Sequence, residues 1–125
     1  MLNALETAQL CAAGADSKKA FDILILDIRK FTVIADYFVI CSGSNTSQVS
    51  AIADSIGHTL AQAGIRYSHV EGETEATWVL MDYGDVVVHV FEEQTRIYYS
   101  LEKLWGEAQK IPVVLRPREL LGAAS

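Results

Sequence analysis

The sequence has little of what small domains use to cross-link themselves or to cross a membrane. It contains two cysteines and two prolines in 125 residues, and neither cysteine belongs to a C-x-x-C motif. The apolar runs are no longer than a β-strand, whereas a membrane-spanning helix needs roughly 18 residues. The first residues carry neither the basic flank of a signal peptide nor an arginine-rich stretch. These features predict a cytoplasmic protein that binds no metal and keeps its cysteines reduced and packed.

Basic residues are also scarce. Ten lysines and arginines stand against sixteen aspartates and glutamates, which gives a net charge of −6 and a pI near 4.9. Nucleic acids and anionic lipids are bound mainly through lysine and arginine, so this balance argues against either as the main partner. It favours a basic protein as the partner. The mass of 13.7 kDa and the 50% of hydrophobic residues are those of one domain with its own core.

The hydrophobic pattern predicts a mixed α/β domain in which a single sheet of about five strands is flanked by helices. The predicted order is a helix, two strands, a second helix, three strands and a short closing helix. The predicted helices cover residues 2–13, 46–63 and 100–105, and the predicted strands cover residues 21–28, 37–41, 67–71, 77–83 and 85–91.

Capping residues and breakers set the predicted boundaries. The second helix is the clearest, because Asn45 is a good N-cap and Gly64 is placed to end it. Gly14 is expected to stop the first helix in the same way. The prolines near the end predict a domain over residues 1–108 and a C-terminal tail over residues 109–125.

The last two strands are predicted to form a hairpin around Tyr83-Gly84, since glycine supplies the positive φ of a tight turn. This loop would place Asp82 opposite Asp85, and Trp78 opposite His89. Alternation then predicts a purely apolar face that packs on the helices, formed by Val79, Met81, Val86, Val88 and Val90. The other face would carry Trp78, Leu80, Val87, His89 and Phe91 beside the two aspartates.

Negative charge is concentrated at this hairpin. Residues 71–93 contain seven acidic residues and no lysine or arginine, while the remaining nine acidic and ten basic residues nearly cancel. An apolar centre rimmed by carboxylates is typical of a docking surface for a basic protein. The residues leave one alternative open, which is an ordinary sheet face that is either solvated or covered by the closing helix.

Catalytic patterns are weak in this sequence. Gly43-Ser44 lies between a strand and a capped helix, as does the anion-binding turn of nucleotidyltransferases. Those enzymes also need two carboxylates one residue apart on a following strand, and no such pair is present. His58, His69 and His89 are scattered, and no nucleophile has an activating neighbour. The sequence predicts no catalytic residue and no cofactor; a nucleotidyltransferase-like enzyme or nucleotide-binding domain is the alternative.

Four segments resemble those of the Iojap family, the ribosomal silencing factors. The segment from Trp78 to Phe91 resembles the signature of the family, and the match covers about residues 2–107 in order. The other three segments are Asp22–Ile28, Ala35–Gly43 and Leu101–Gly106. Residues 44–47 depart from the family pattern, in which a charged pair commonly precedes the position of Gln48.

The resemblance implies a fold similar to nucleotidyltransferases without their catalytic carboxylates, and a function in binding rather than catalysis. It implies docking on the fourteenth protein of the large ribosomal subunit, which blocks joining of the small subunit and lowers translation when nutrients are short. It also implies that the free protein forms a homodimer. The implied partner-binding residues are Trp78, Leu80, Asp82, Tyr83, Asp85 and His89. Trp78 and Leu80 would be apolar anchors, and Asp82 and Asp85 would accept hydrogen bonds from lysine or arginine. Asp36 and Tyr37 could either bind or brace the turn.

Overall fold

A computed structural model describes residues 2–114 as a six-stranded mixed sheet with helices on both faces. The strands are β1 (Phe21–Asp27), β2 (Tyr37–Gly43), β3 (His69–Glu71), β4 (Trp78–Asp82), β5 (Val86–Glu92) and β6 (Gln109–Ile111). The helices are α1 (Ala4–Asp16), α2 (Thr46–Gln62), α3 (Glu93–Tyr99) and α4 (Leu101–Leu104). The strand order is β3-β4-β5-β2-β1-β6; β2 and β5 are parallel, and the other neighbours are antiparallel. The predicted mixed α/β class is confirmed, with one strand more than expected.

Side-chain caps fix where the two long helices begin. In α1, Asn3 and Glu6 form a reciprocal capping box, and in α2 the Asn45 side chain accepts a hydrogen bond from the Gln48 N–H at 2.8 Å. Gly64 follows α2 with a φ of +80°, which is the left-handed conformation that commonly ends a helix. Both predicted ends of α2 are therefore confirmed.

The sequence predicted that Gly14 would end α1, but the helix continues to Asp16. A Cβ on Gly14 would lie 3.2 Å from the Cα of Ile56 in α2, and the Ser55 hydroxyl donates a hydrogen bond to the Gly14 carbonyl at 2.8 Å. The prediction was wrong because this glycine serves the close approach of two helices, a contact between residues far apart in the sequence.

The main core lies between the sheet and the pair α1 and α2. The apolar face predicted for the hairpin is confirmed, because its residues Val79, Met81, Val86, Val88 and Val90 are all buried in this core. Cys11 and Cys41 are free and buried in the same core. Burial raises the pKa of both thiols, so they remain protonated packing residues.

The hairpin is closed by Gly84-Asp85 and not by Tyr83-Gly84. The Tyr83 N–H donates to the Val86 carbonyl at 2.9 Å, and Gly84, with a φ of +86°, is the first residue of the loop. Trp78 consequently pairs with Phe91 and Asp82 with Val87, two residues away from the predicted register. Because the error is two residues, each side chain keeps its predicted face.

The sheet extends beyond the predicted domain boundary at residue 108. Strand β6 pairs with β1, and the Gln9 side chain donates to the Pro112 carbonyl and accepts from the Val114 N–H, each at 2.7 Å. Residues 109–114 are therefore packed on the domain and are not a tail. The rest of the predicted tail lies outside the described residues. Within residues 2–114, no helix is both long enough and apolar enough to span a bilayer.

Candidate protein-binding surface

A continuous row of rings crosses the face of the sheet opposite α1 and α2. Adjacent rings in the row have centroids 4.7–6.3 Å apart. We call this row the aromatic band, and its members in spatial order are Tyr98, Tyr99, Trp78, Phe91, His89, Phe38, Trp105 and Phe31. The two ends of the band are exposed and its centre is buried.

Trp78 is held in a fixed orientation within the band. Its indole N–H donates to Nδ1 of His89 at 3.1 Å, and its ring packs against Phe91 with a centroid distance of 4.8 Å. Trp78 and its strand neighbour Leu80 are both half-buried, so part of each side chain remains accessible. Both side chains are therefore accessible to another molecule, and their role as apolar anchors stays a prediction.

His89 and Phe91 are not accessible, which corrects the prediction of an outward-facing hairpin. His89 is 4% exposed and Phe91 is fully buried, because Phe38, Trp105 and Leu101 pack over this part of the sheet. The alternative left open by the sequence, a face covered by the closing helix, is thus correct for the middle of the face, where Leu101 and Trp105 lie. The buried His89 ring orients Trp78 through the hydrogen bond at Nδ1 and does not itself lie on the surface.

Low pH is expected to lower the free energy of unfolding, because unfolding allows His89 to be protonated. Burial lowers the pKa of His89 to about 4, against about 6.5 in the unfolded chain. The unfolded state therefore binds more protons between these values, so the free energy of unfolding is fully retained above pH 6.5 and falls as the pH drops toward 4. The loss should reach about 2 kcal/mol at pH 5.

Chemical denaturation at pH 7 and pH 5 would measure this loss. The variant His89→Gln, whose amide oxygen can still accept the indole hydrogen bond, should lose most of the pH dependence over that range. The exposed His58→Gln variant is the matched control and should keep it. An unchanged pH dependence in His89→Gln would show that another group is responsible.

The two predicted aspartates have different environments at the tip of the hairpin. Asp82 is half-buried and its carboxylate accepts a hydrogen bond from the Gly84 N–H at 2.7 Å, which stabilises the turn. The Asp85 side chain is exposed, and its carbonyl accepts from the backbone N–H groups of Asp36 at 2.8 Å and Tyr37 at 3.1 Å. The predicted opposition of the two carboxylates is wrong, and Asp36 and Tyr37 brace the turn through their backbone.

Tyr83 lies on the other face of the sheet from Trp78 and Leu80. Its ring packs against the main core and against Tyr67, with a centroid distance of 6.1 Å. Burial raises the pKa of its hydroxyl. The structure therefore groups Trp78, Leu80, Asp82 and the Asp85 turn, and separates Tyr83 from them.

Five of the seven acidic side chains of residues 71–93 are exposed. They are Glu71, Glu73, Glu75, Asp85 and Glu93. Glu92 has a structural role, because it caps α3; the hydrogen bond from the Gln94 N–H lowers the pKa of this carboxyl. Glu71 pairs with Leu80 across β3 and β4, and Asp82 lies on the same face of β4 as Leu80. These two carboxylates therefore lie beside the accessible part of Leu80.

The Gly43-Ser44 turn is filled by its own helix. The Ser44 N–H donates to the Gln48 side chain at 2.6 Å, and Gly43 lies against Val49 of the first turn of α2. Beside the turn, the Arg96 guanidinium donates to the Ser42 hydroxyl at 2.9 Å. Among the described residues, no three His, Cys, Asp or Glu side chains come together as a possible metal site. Because Gln48 and Val49 of α2 occupy the Gly43-Ser44 turn, the geometry of this turn does not favour the nucleotidyltransferase-like alternative.

A family model described as ribosomal silencing factor during starvation matches residues 2–122. The chain belongs to this family. The ribosomal silencing factor RsfS of Bacillus subtilis is 49% identical over 107 residues, which are 86% of this chain and 91% of that protein. The comparison confirms the resemblance found in the four sequence segments.

Two further relatives extend the comparison. The X-ray structure of a Chromobacterium violaceum protein is 33% identical and has a TM-score of 0.83, covering 96% of this chain and 99% of that one. A mouse protein named mitochondrial assembly of ribosomal large subunit protein 1 is 32% identical over 91 residues, which are 70% of this chain and 40% of that protein. The ribosomal silencing factor fold is therefore supported by an experimental structure.

In this ribosomal silencing factor, the end of the aromatic band formed by Tyr98 and Tyr99 was not predicted from the sequence. Tyr98 and Tyr99 belong to α3, a helix of seven residues that the hydrophobic pattern did not indicate. So short a helix gives no reliable hydrophobic period. Two available signals were the Glu92 cap and the consecutive aromatic residues that follow it.

Proposed function

We propose that this chain binds the large ribosomal subunit in the cytoplasm through its fourteenth protein and blocks association with the small subunit, repressing translation under nutrient limitation. The observation that carries the proposal is the accessible pair Trp78 and Leu80 beside the carboxylates of Glu71 and Asp82, in a chain of the ribosomal silencing factor family. The name of the mouse relative refers to the large ribosomal subunit and supports the choice of subunit.

The geometry suits a basic protein partner. Burying the accessible parts of Trp78 and Leu80 would provide apolar stabilisation, up to about 1.5–3 kcal/mol for a fully transferred side chain. Tryptophan is also enriched among the residues that dominate interface energies. Asp82 and Asp85 would accept hydrogen bonds from lysine or arginine, and would contribute more to orientation and association rate than to affinity.

His89 and Tyr83 have indirect roles in this proposal. His89 holds the Trp78 indole ring through its Nδ1 atom, and Tyr83 fixes the hairpin from the main-core side. Substitution of either residue would alter binding by moving the anchors or the turn. We therefore treat both as positioning residues.

Inhibition of subunit joining requires no chemistry in this mechanism. A bound protein of 13.7 kDa on the joining face is an obstacle to the small subunit, so inhibition follows occupancy. Each 1.4 kcal/mol lost at the contact raises the concentration needed for a given occupancy about tenfold.

Sucrose-gradient centrifugation with purified subunits tests the proposal. We expect the protein to travel with free large subunits, to be absent from small subunits, and to reduce the joined-ribosome peak as its concentration rises. Measuring the oligomeric state of the free protein in the same buffer controls for self-association, which the family resemblance implies. The proposal would be rejected if the folded protein failed to travel with large subunits and left the joined peak unchanged.

A further inference from the structure

Helix α3 presents three consecutive apolar side chains to solvent. Ile97 is 63% exposed, Tyr98 is 79% exposed and Tyr99 is 53% exposed. Together with Thr77 and polar residues of the first turn of α3, they line an open groove of about 580 Å³. Isolated exposed apolar residues are common, but a contiguous group of this size is typical of an interaction site.

The helix is held rigidly by residues other than these three. The Arg96 side chain is 11% exposed; its Nε donates to Glu102 at 3.0 Å and its Nη1 to the Asp22 carbonyl at 2.6 Å. Glu92 caps the start of the helix, and Ser100 ends it in the left-handed conformation. Ile97, Tyr98 and Tyr99 are thus displayed on a fixed support, which lowers the entropic cost of binding.

The groove is continuous with the proposed docking surface. The Tyr99 ring lies 4.9 Å from the Trp78 ring between centroids, and the Tyr98 ring lies 5.0 Å from Tyr99. A partner that covers the accessible side of Trp78 would therefore reach Tyr99 as well.

Charge distinguishes between possible occupants. Glu75 precedes Thr77 of the groove by two residues, and residues 71–93 contain no lysine or arginine. A second copy of this chain seated on the groove would bring like charges together, which is unfavourable. A lysine or arginine side chain would be attracted by the carboxylates and could stack on a tyrosine ring.

We propose that Ile97, Tyr98 and Tyr99 form a second wall of the docking surface and receive a basic segment of the same ribosomal protein that contacts Trp78. This inference rests on the proposed function and deepens it. The surface then has two parts, the Trp78–Leu80 anchor with its carboxylates and the tyrosine wall of α3.

Tyr98 is the best residue for a test, because it is the most exposed of the three. The equilibrium dissociation constant for purified large subunits should increase about tenfold in Tyr98→Ser and remain close to the wild-type value in Tyr98→Phe, which keeps the ring. The matched control is Leu5→Ser, an exposed apolar position on α1 across the sheet, which should bind normally. Circular dichroism and the thermal midpoint would establish that each variant is folded.

The outcomes separate this inference from the proposed function. If the wild-type protein binds large subunits and folded Tyr98→Ser binds equally well, the tyrosine wall is overturned while the proposed function stands. The tyrosine wall is also overturned if Leu5→Ser loses as much affinity, or if Tyr98→Ser changes only the monomer–dimer equilibrium. If the wild-type protein itself does not bind large subunits, the proposed function is wrong, and so is the inference that rests on it.

Discussion

Charge reversal in Asp85→Arg is expected to abolish detectable binding to the large ribosomal subunit without unfolding the protein. The Asp85 side chain is exposed, and its backbone carbonyl, which accepts the hydrogen bonds from Asp36 and Tyr37, is retained in arginine. A positive charge placed against a basic partner costs several kcal/mol, so we expect affinity to fall at least a hundredfold. Co-sedimentation with purified large subunits would measure the loss.

Asp82 provides a companion test that separates charge from turn stability. Asp82→Arg should also abolish binding, but it removes the acceptor of the Gly84 N–H and so weakens the turn as well. Asp82→Asn can keep an oxygen acceptor and loses only the charge, so its smaller defect should diminish as the salt concentration rises. The matched control is Asp54→Arg, the same change at an exposed position on α2. Wild-type affinity in folded Asp85→Arg would exclude the hairpin tip from the interface.

Gly72→Ala is expected to destabilise the protein strongly and to disturb the binding surface together with the fold. Gly72 has a φ of +85°, and a Cβ at this position would overlap the carbonyl oxygen of Trp78. The strand that carries Trp78 would have to move. Strain at the positive φ plus this overlap should lower the free energy of unfolding by about 3 kcal/mol or more. The thermal midpoint should then fall by about 10 °C or more.

Gly64→Ala separates the two causes of this effect. Gly64 has a similar φ of +80°, but a Cβ there would meet no atom within 4 Å. Its substitution should cost about 1 kcal/mol, from the left-handed conformation alone. The difference between the two losses in free energy of unfolding, measured by calorimetry, gives the steric contribution at Gly72. Large-subunit binding should weaken in Gly72→Ala only. Equal thermal midpoints would mean that the backbone around Gly72 relaxes without cost.

Residues close together in the chain were sufficient to predict most of the elements and the faces of the hairpin. The apolar stripe of α2 and its limits at Asn45 and Gly64 are local properties, set by helix geometry and by backbone groups that need capping. The face of each hairpin residue followed from strand alternation, and it survived a register error of two residues. The concentration of acid in residues 71–93 was likewise evident from the sequence.

Only the tertiary structure decided which of these residues are accessible. Phe38 and Trp105, distant from the hairpin in sequence, cover His89 and leave Trp78 partly open, so burial depended on contacts that no local pattern specifies. The turn at Gly84-Asp85 is braced by the backbone N–H groups of Asp36 and Tyr37, which lie where the β1–β2 loop enters β2. In each case the sequence determined what a segment could form, because its periodicity and capping are local. Packing between distant segments determined which side chains remained free to bind.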